Sequence, residues 1–154
     1  DLQIDNVDKK IISFLMKDAM MPYTEIAHRI LMSSGTIHVR MNNLQKKGIV
    51  KGTTLVLDYT KIGYDLVTFI GIYLDDASLY DKAIKRLEKV PEVVEAHYIT
   101  GGYSIFIKLV CRNTKHLQDI LNEKIQTIEG IQRTETFISL KESIKRHVVL
   151  EEEE

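Results

Sequence analysis

The sequence predicts an α+β protein in two modules, a helix-turn-helix at the N-terminus and a ferredoxin-like βαββαβ unit after it. Three observations lead there. Residues 5–48 hold three short apolar stripes at helical spacing, with a tight turn between the second and third. Beyond residue 65, apolar runs of strand length alternate with amphipathic stripes in the order β-α-β-β-α-β. The charge is divided as well. Residues 1–61 carry nine Lys/Arg against six Asp/Glu, or +3, and residues 62–154 carry twelve against sixteen, or −4. The overall net charge of −1 hides that division.

In the first module, Asp5 followed by Asp8 resembles a capping box with an acidic residue in place of the usual Glu or Gln. Val7, Ile11, Phe14, Leu15 and Ala19 form the first stripe, and Met20-Met21-Pro22 ends it. A short second helix is expected from Thr24 as N-cap, packing through Ile26, Ala27 and Ile30. Ser33 or Ser34 caps a third, with Ile37, Met41 and Leu44 inside and Gly48 at its end after Lys46-Lys47. At about 100° per residue the outward side of this helix carries Gly35, Val39, Asn42, Asn43 and Lys46. Ser34 and His38 flank one edge, and Thr36, Arg40 and Lys47 the other. These side chains suit a DNA major groove: Asn pairs with adenine edges, Arg and His with guanine or phosphate, and Val39 meets a thymine methyl. Ser, Thr and Lys hold phosphates, which set register. The stretch 24–51 is +4, either a nucleic-acid surface or a solvated basic helix face. An ordinary three-helix packing unit with a polar outer face is the alternative on periodicity alone. Residues 49–57 are β-branched, contain Gly52, and read as a short strand or hairpin leading into a linker that ends near Gly63.

The second module opens with a strand near 66–74. Ser78 with Asp81 is expected to cap a helix bearing Leu79, Ala83, Leu87 and Val90, which Pro91 ends. Strands near 93–99 and 103–110 are joined by Thr100-Gly101-Gly102. Thr114 opens a second helix with Leu117, Leu121, Ile125 and Ile128 inside, Gly130 stops it, and a last strand runs near 131–140. The first strand is apolar on both faces, Val67, Phe69 and Tyr73 alternating with Leu66, Ile70, Ile72 and Leu74. In the third, Tyr103, Ile105, Ile107 and Leu109 alternate with Phe106 and Val110. Both helices cover one face of such a sheet, so the other face implies a homodimer. The expected division is 1–50 for DNA binding, 51–64 as β linker, 65–141 for the ferredoxin-like domain and 142–154 as tail, with Glu151 to Glu154 solvated.

Composition narrows the function classes. The chain has 154 residues, 44% hydrophobic and 28% charged, which is globular. No apolar run approaches the roughly 18 residues of a membrane span, and the first residues lack a signal peptide's basic and apolar regions. The single cysteine, Cys111, excludes an internal disulfide and a cysteine-built metal cage. A reducing, cytoplasmic setting fits. His28, His38, His97, His116 and His147 show no metal spacing, and neither a P-loop nor a G-x-G-x-x-G is present. No cofactor and no catalytic residue is assigned. An enzyme on a ferredoxin-like frame is one alternative, and an RNA-binding sheet is another, although Tyr103-Ser104-Ile105-Phe106-Ile107 lacks the basic start and Gly-Phe pattern of that class. A ligand-binding module without DNA activity is a third.

The motifs resemble the Lrp/AsnC (feast/famine) family of transcriptional regulators over nearly the whole chain. Ile4-Asp5-x-x-Asp8-x-x-Ile11-Ile12-x-x-Leu15 is similar to the family's first helix, and Tyr23-Thr24-Glu25-Ile26-Ala27 to its second. Ser33-x-Gly35-Thr36-Ile37-His38-Val39-Arg40-Met41-x-x-Leu44-x-x-x-Gly48-Ile49-Val50 is similar to its recognition helix and following turn. Gly-Thr-Ile-His-Val-Arg and Gly-x-Tyr-Ser-Ile-Phe-Ile-Lys look most like the asparagine-responsive branch. The resemblance implies a winged helix-turn-helix joined to a ferredoxin-like response domain, in dimers and often in octamers, with an amino acid bound between subunits. It implies effector positions at Tyr98, Thr100, Gly101, Tyr103, Ser104, Gln126, Thr134, Glu135 and Thr136. Ser104 stands where many relatives carry Asp. Without the resemblance, Gly101-Gly102 reads as a tight hairpin turn.

Overall fold

The structure is a computed structural model that describes residues 3–153. It divides into two compact units: residues 3–56 together with 144–153, and residues 57–143.

The first unit is helical. α1 spans Asn6–Lys17 and opens with the expected capping box, in which Asp5 and Asp8 each accept the other's backbone N–H. α2 spans Tyr23–Arg29. Its N-cap is Pro22, not Thr24: proline lacks an N–H, and the first positions of a helix need none. α3 spans Ser34–Lys46, with the Ser33 hydroxyl accepting the Thr36 N–H at 3.1 Å. Ile11, Ile26, Ala27, Ile37, Met41 and Leu44 form the buried core. Ala19 lies beyond α1 and is exposed.

α2 and α3 end in the same way. After α3, Gly48 sits at φ 72°, the Ile49 N–H reaches the Leu44 carbonyl at 3.0 Å, and the Gly48 N–H reaches Gln45 at 3.0 Å. This is a Schellman motif. After α2 the same bonds run from Met32 to Ala27 and from Leu31 to His28, but the left-handed residue is Leu31, at φ 57°. That leucine makes the tight turn between the two helices.

One expectation for this unit changes, and another gains a contact. Residues 51–58 form no strand. Among the described residues the backbone of 51–57 makes no hydrogen bond, and a strand needs partners for its N–H and C=O groups. Residues 151–153 are exposed, as expected of a solvated tail, and they are also moored on α1. The Asn6 side-chain amide donates to the Glu153 carbonyl and accepts the Glu153 N–H, both at 2.9 Å. Lys9, its side chain only 8% exposed, pairs with the Glu153 carboxylate at 3.2 Å, and Lys10 with Glu152 at 3.6 Å. A lysine that buried needs a counter-charge, which the acidic segment supplies. Glu154 lies outside the described residues.

The second unit has β1 (Leu66–Leu74), α4 (Tyr80–Leu87), β2 (Val93–Tyr98), β3 (Ile105–Cys111), α5 (Thr114–Ile120) and β4 (Ile131–Ile138). The sheet is antiparallel in the order β2-β3-β1-β4, the ferredoxin-like arrangement. Ile70 and Ile72 of β1 and Ile105, Ile107 and Leu109 of β3 meet Ala83, Leu87, Leu117, Ile120 and Ile125 in the core. The cap of the first helical segment is Asp76, not Ser78: its carboxylate accepts the Ser78 N–H at 2.7 Å and starts a 3-10 turn over Ala77–Leu79. α5 opens at Thr114 as expected, and Asn113 caps it by accepting the His116 N–H. α5 runs on through a π-helical turn over Leu121–Ile125. Cys111 is fully buried, and desolvation, then the Glu92 charge, pushes its thiol up to about 11. A thiol so protonated is a packing group.

Candidate functional site

The outward strip of α3 is as periodicity predicts. Val39 is 59% exposed, and Asn42, Asn43, Lys46 and Lys47 are exposed beside it, while Ile37, Met41 and Leu44 are buried. Ser34 is half-buried at the first turn. The His38 ring packs edge-on against Tyr23, with centroids 4.5 Å apart. The Thr36 hydroxyl bonds to Ser33, so it is engaged in the cap. Arg40 turns away from this strip. Its Nη1 donates to both Asp5 oxygens, at 2.9 and 2.8 Å, and to Asp8 Oδ1 at 3.0 Å. That hydrogen bond, then the Asp8 backbone N–H, holds the Asp5 carboxyl below its ordinary 3.8. Lys47 leans the same way and donates to the Gln3 carbonyl at 3.0 Å. Arg29 pairs with Glu25 at 2.6 Å. Among the described residues, Lys46, Lys47 and Lys51 are the bases of 24–51 without a carboxylate within ion-pair distance. Asp5 and Asp8 are the partners that sequence reasoning missed. Each capping carboxylate has an oxygen to spare, which was the available signal.

In the sheet unit, the face opposite the helices carries an aromatic cluster of Phe69, Tyr73, Tyr103, Phe106 and Phe137. Tyr103 belongs to this face and not with Ile105 and Ile107. β3 begins only at Ile105, so strand alternation does not extend back to residue 103. Its ring lies on Gly71, where a Cβ would meet it at 2.4 Å. An isolated glycine in an apolar strand is a signal of such close approach. The Tyr103 hydroxyl donates to Glu135 Oε2 at 2.5 Å, and this bond, followed by desolvation and the Glu135 charge, pushes the phenol up to about 12. Beside it the Arg133 guanidinium stands 3.8 Å from the Tyr73 ring centroid, a cation–π contact absent from the sequence-derived set.

The implied effector positions do not all converge within one copy. Tyr103 and Glu135 meet on the aromatic face, next to the turn of Thr100 and Gly101. Ser104 is held in the ladder, its N–H donating to Ile72 at 2.8 Å. Tyr98 lies on edge strand β2 and packs on Tyr80 of α4, with centroids 4.4 Å apart. Thr134 and Thr136 lie on the other edge strand, β4, alternating with Glu135. Gln126 is exposed where the π-helical turn ends.

Residues 67–149 match the Lrp/AsnC ligand-binding domain, and residues 4–51 match a winged helix-turn-helix DNA-binding domain. The chain belongs to the Lrp/AsnC family. It is 48% identical to the regulatory protein AsnC of Haemophilus influenzae over 94% of this chain and 97% of that one. Identity to AsnC of Escherichia coli K12 is 46%, over 94% and 95%. The solved E. coli AsnC structure superposes with a TM-score of 0.92 at 44% identity, covering 97% of this chain and all of that one. A Neisseria meningitidis transcriptional regulator in complex with L-Met shares the fold, with a TM-score of 0.88 at 20% identity over 97% of each chain. This Lrp/AsnC chain is thus a DNA-binding transcriptional regulator with a ligand-binding domain, and no helix among its described residues is long and apolar enough to cross a membrane.

Proposed function

We propose that this regulator works in the cytoplasm as a homodimer closed over its aromatic sheet faces, and places the two α3 helices in successive major grooves of a quasi-palindromic DNA site. The exposed strip of Val39, Asn42, Asn43 and Lys46 carries this reading, because it offers base-edge partners and positive charge with no carboxylate among them. Ser34, His38 and Lys47 border the strip, and Thr36 supports it through the cap. An amino acid bound between subunits, asparagine first, shifts assembly or the spacing of the DNA-binding modules through unequal affinity for two arrangements. Four such dimers join in a larger ring, an octamer, in the same assembly equilibrium. Support comes from the AsnC names of the relatives at 46–48% identity and from the Neisseria regulator's L-Met complex. The Tyr103–Glu135 pair, Gly101 and Ser104 are the first candidates for the ligand's ammonium and carboxylate. Thr100 stands in the same turn as Gly101, and Tyr98, Gln126, Thr134 and Thr136 would complete the site from other subunits. The chain's own groups are assigned to binding and not to catalysis.

Gel shift on duplexes selected from a random pool tests the DNA arm. Affinity is expected to fall steeply with salt, and Lys46→Ala to flatten the dependence by about one counterion per subunit. Salt-independent binding would sink it. Calorimetry against the twenty amino acids at up to several millimolar tests the ligand arm, with asparagine expected to give heat and no response to any of them the opposing result.

A further inference from the structure

Arg40 lies on the flank of α3 and yet does not face the exposed strip. Its guanidinium is spread over the same two carboxylates that cap α1. Asp5 uses Oδ1 to accept the Asp8 N–H and both oxygens to accept from Arg40 Nη1, and Asp8 uses Oδ2 for the Asp5 N–H and Oδ1 for Arg40. The contact joins residues 32 and 35 positions apart in sequence, and the Arg40 side chain is only 28% exposed. Lys47, two turns on, ties the same flank to the Gln3 carbonyl. One edge of α3 is therefore fastened to the entry of α1 at two points. The groove along that edge contains Asp5 and Asp8 beside Thr36 and Asn43. A DNA phosphate brought there would meet two carboxylates whose one cation is already engaged. On the opposite edge, among the described residues, neither Ser34 nor His38 is hydrogen-bonded or ion-paired to a carboxylate, and His38 packs on Tyr23.

We propose that Arg40 is a positioning residue: it locks the roll of α3 against the α1 capping box, so that Val39, Asn42, Asn43 and Lys46 and not the Arg40 edge meet the base pairs. A helix rolled by even part of one residue's 100° presents different side chains to the groove. Loss of the lock therefore blurs sequence discrimination more than it weakens attraction to phosphates. The inference rests on the DNA-binding reading.

Three variants test it: Arg40→Gln, Asp5→Asn with Asp8→Asn, and Lys46→Gln as the phosphate-contact control. Asn still caps a helix, so the double variant keeps α1. Each is titrated over a salt series against a selected duplex and a random one. Lys46→Gln is expected to lower the salt slope by about one per bound subunit. Arg40→Gln is expected to leave the slope on random duplex unchanged while the ratio of selected to random affinity falls about tenfold. The double Asn variant is expected to lose the same discrimination although it removes no cation. The proposal is overturned if Arg40→Gln flattens the slope as Lys46→Gln does, or if the double variant binds the selected duplex more tightly with a steeper slope and intact discrimination. The second result would mark Arg40 as a phosphate contact released by the loss of its acids. A thermal double-mutant cycle between Arg40 and the aspartate pair needs no DNA. Non-additive shifts are expected, and additive ones overturn the lock. If the wild type binds no duplex while the cycle shows coupling, the DNA reading fails and the contact itself stands.

Discussion

The two exposed faces of this chain are built from opposite materials. The α3 strip presents amides, a valine and lysines, while the open sheet face presents five aromatic rings packed on one another around Gly71. The first can stay in water and exchange it for phosphates and base edges, so its bonds are reversible and salt-dependent. The second loses free energy for as long as it stays wet, and an identical face covers it best. Family members that switch need both kinds, one surface to hold the assembly and another to let go.

The largest expected effect breaks the aromatic side. Phe106→Asp would place an unpaired carboxylate at the centre of a covered face, weakening the dimer by about 3 kcal/mol, or more than roughly 100-fold. If the proposed dimer forms, sedimentation should show it for the wild type and monomers for the variant at the same concentration, with unchanged far-ultraviolet circular dichroism. Ile107→Ala strikes the other face of the same strand, where the side chain is fully buried. It should cost about 2–5 kcal/mol in denaturant titration, and leave dimer contacts intact at low denaturant. If the two variants behave alike, the faces are not independent.

The pH response should separate the units. In the helical unit Asp5 is held ionised by Arg40, so its contribution is present above pH 3.8 and is lost as pH falls through the lower folded value. In the sheet unit the Tyr103 phenol is held protonated, so its contribution is complete below pH 10 and is lost as pH rises towards about 12. Asp5→Asn should lower the denaturant midpoint above pH 3.8 and lose that effect in strong acid, whereas Tyr103→Phe should lower it below pH 10 and lose the effect as pH rises towards about 12. The smallest effect concerns the helix-turn-helix turn. Leu31→Gly relieves a left-handed leucine worth about 1–2 kcal/mol but loosens the unfolded chain by about 0.5–1 kcal/mol. A melting-temperature rise of a few degrees is expected, and a fall would mean that the turn is not strained.

Local chemistry was legible from the sequence. β1 runs over 66–74 as its apolar run indicated, and Ser33 and Gly48 bound α3 as their residue types require. The misreadings share a cause, a partner distant in sequence or a competing neighbour. Asp76 starts the helical segment two residues before Ser78, because its carboxylate accepts the Ser78 N–H. Tyr103 leaves the expected face because Gly71 opens a space for its ring. The partners of Arg40 were not legible, because nothing within α3 marks the acids 32 and 35 positions away. The effector positions were legible as residue types only, since one copy brings together Tyr103 and Glu135 but leaves Tyr98 and Thr134 on opposite edges of the sheet.

The pairing of Asn6 with Glu153 has a topological consequence. The polypeptide leaves the helical unit after residue 56 and rejoins it at residue 144, so the sheet unit is spliced into the helical one by two covalent strands instead of hanging from a single tether. One protease nick in residues 51–56 would therefore leave the fragments joined in native gels through α1 and the acidic segment, to part only in denaturant.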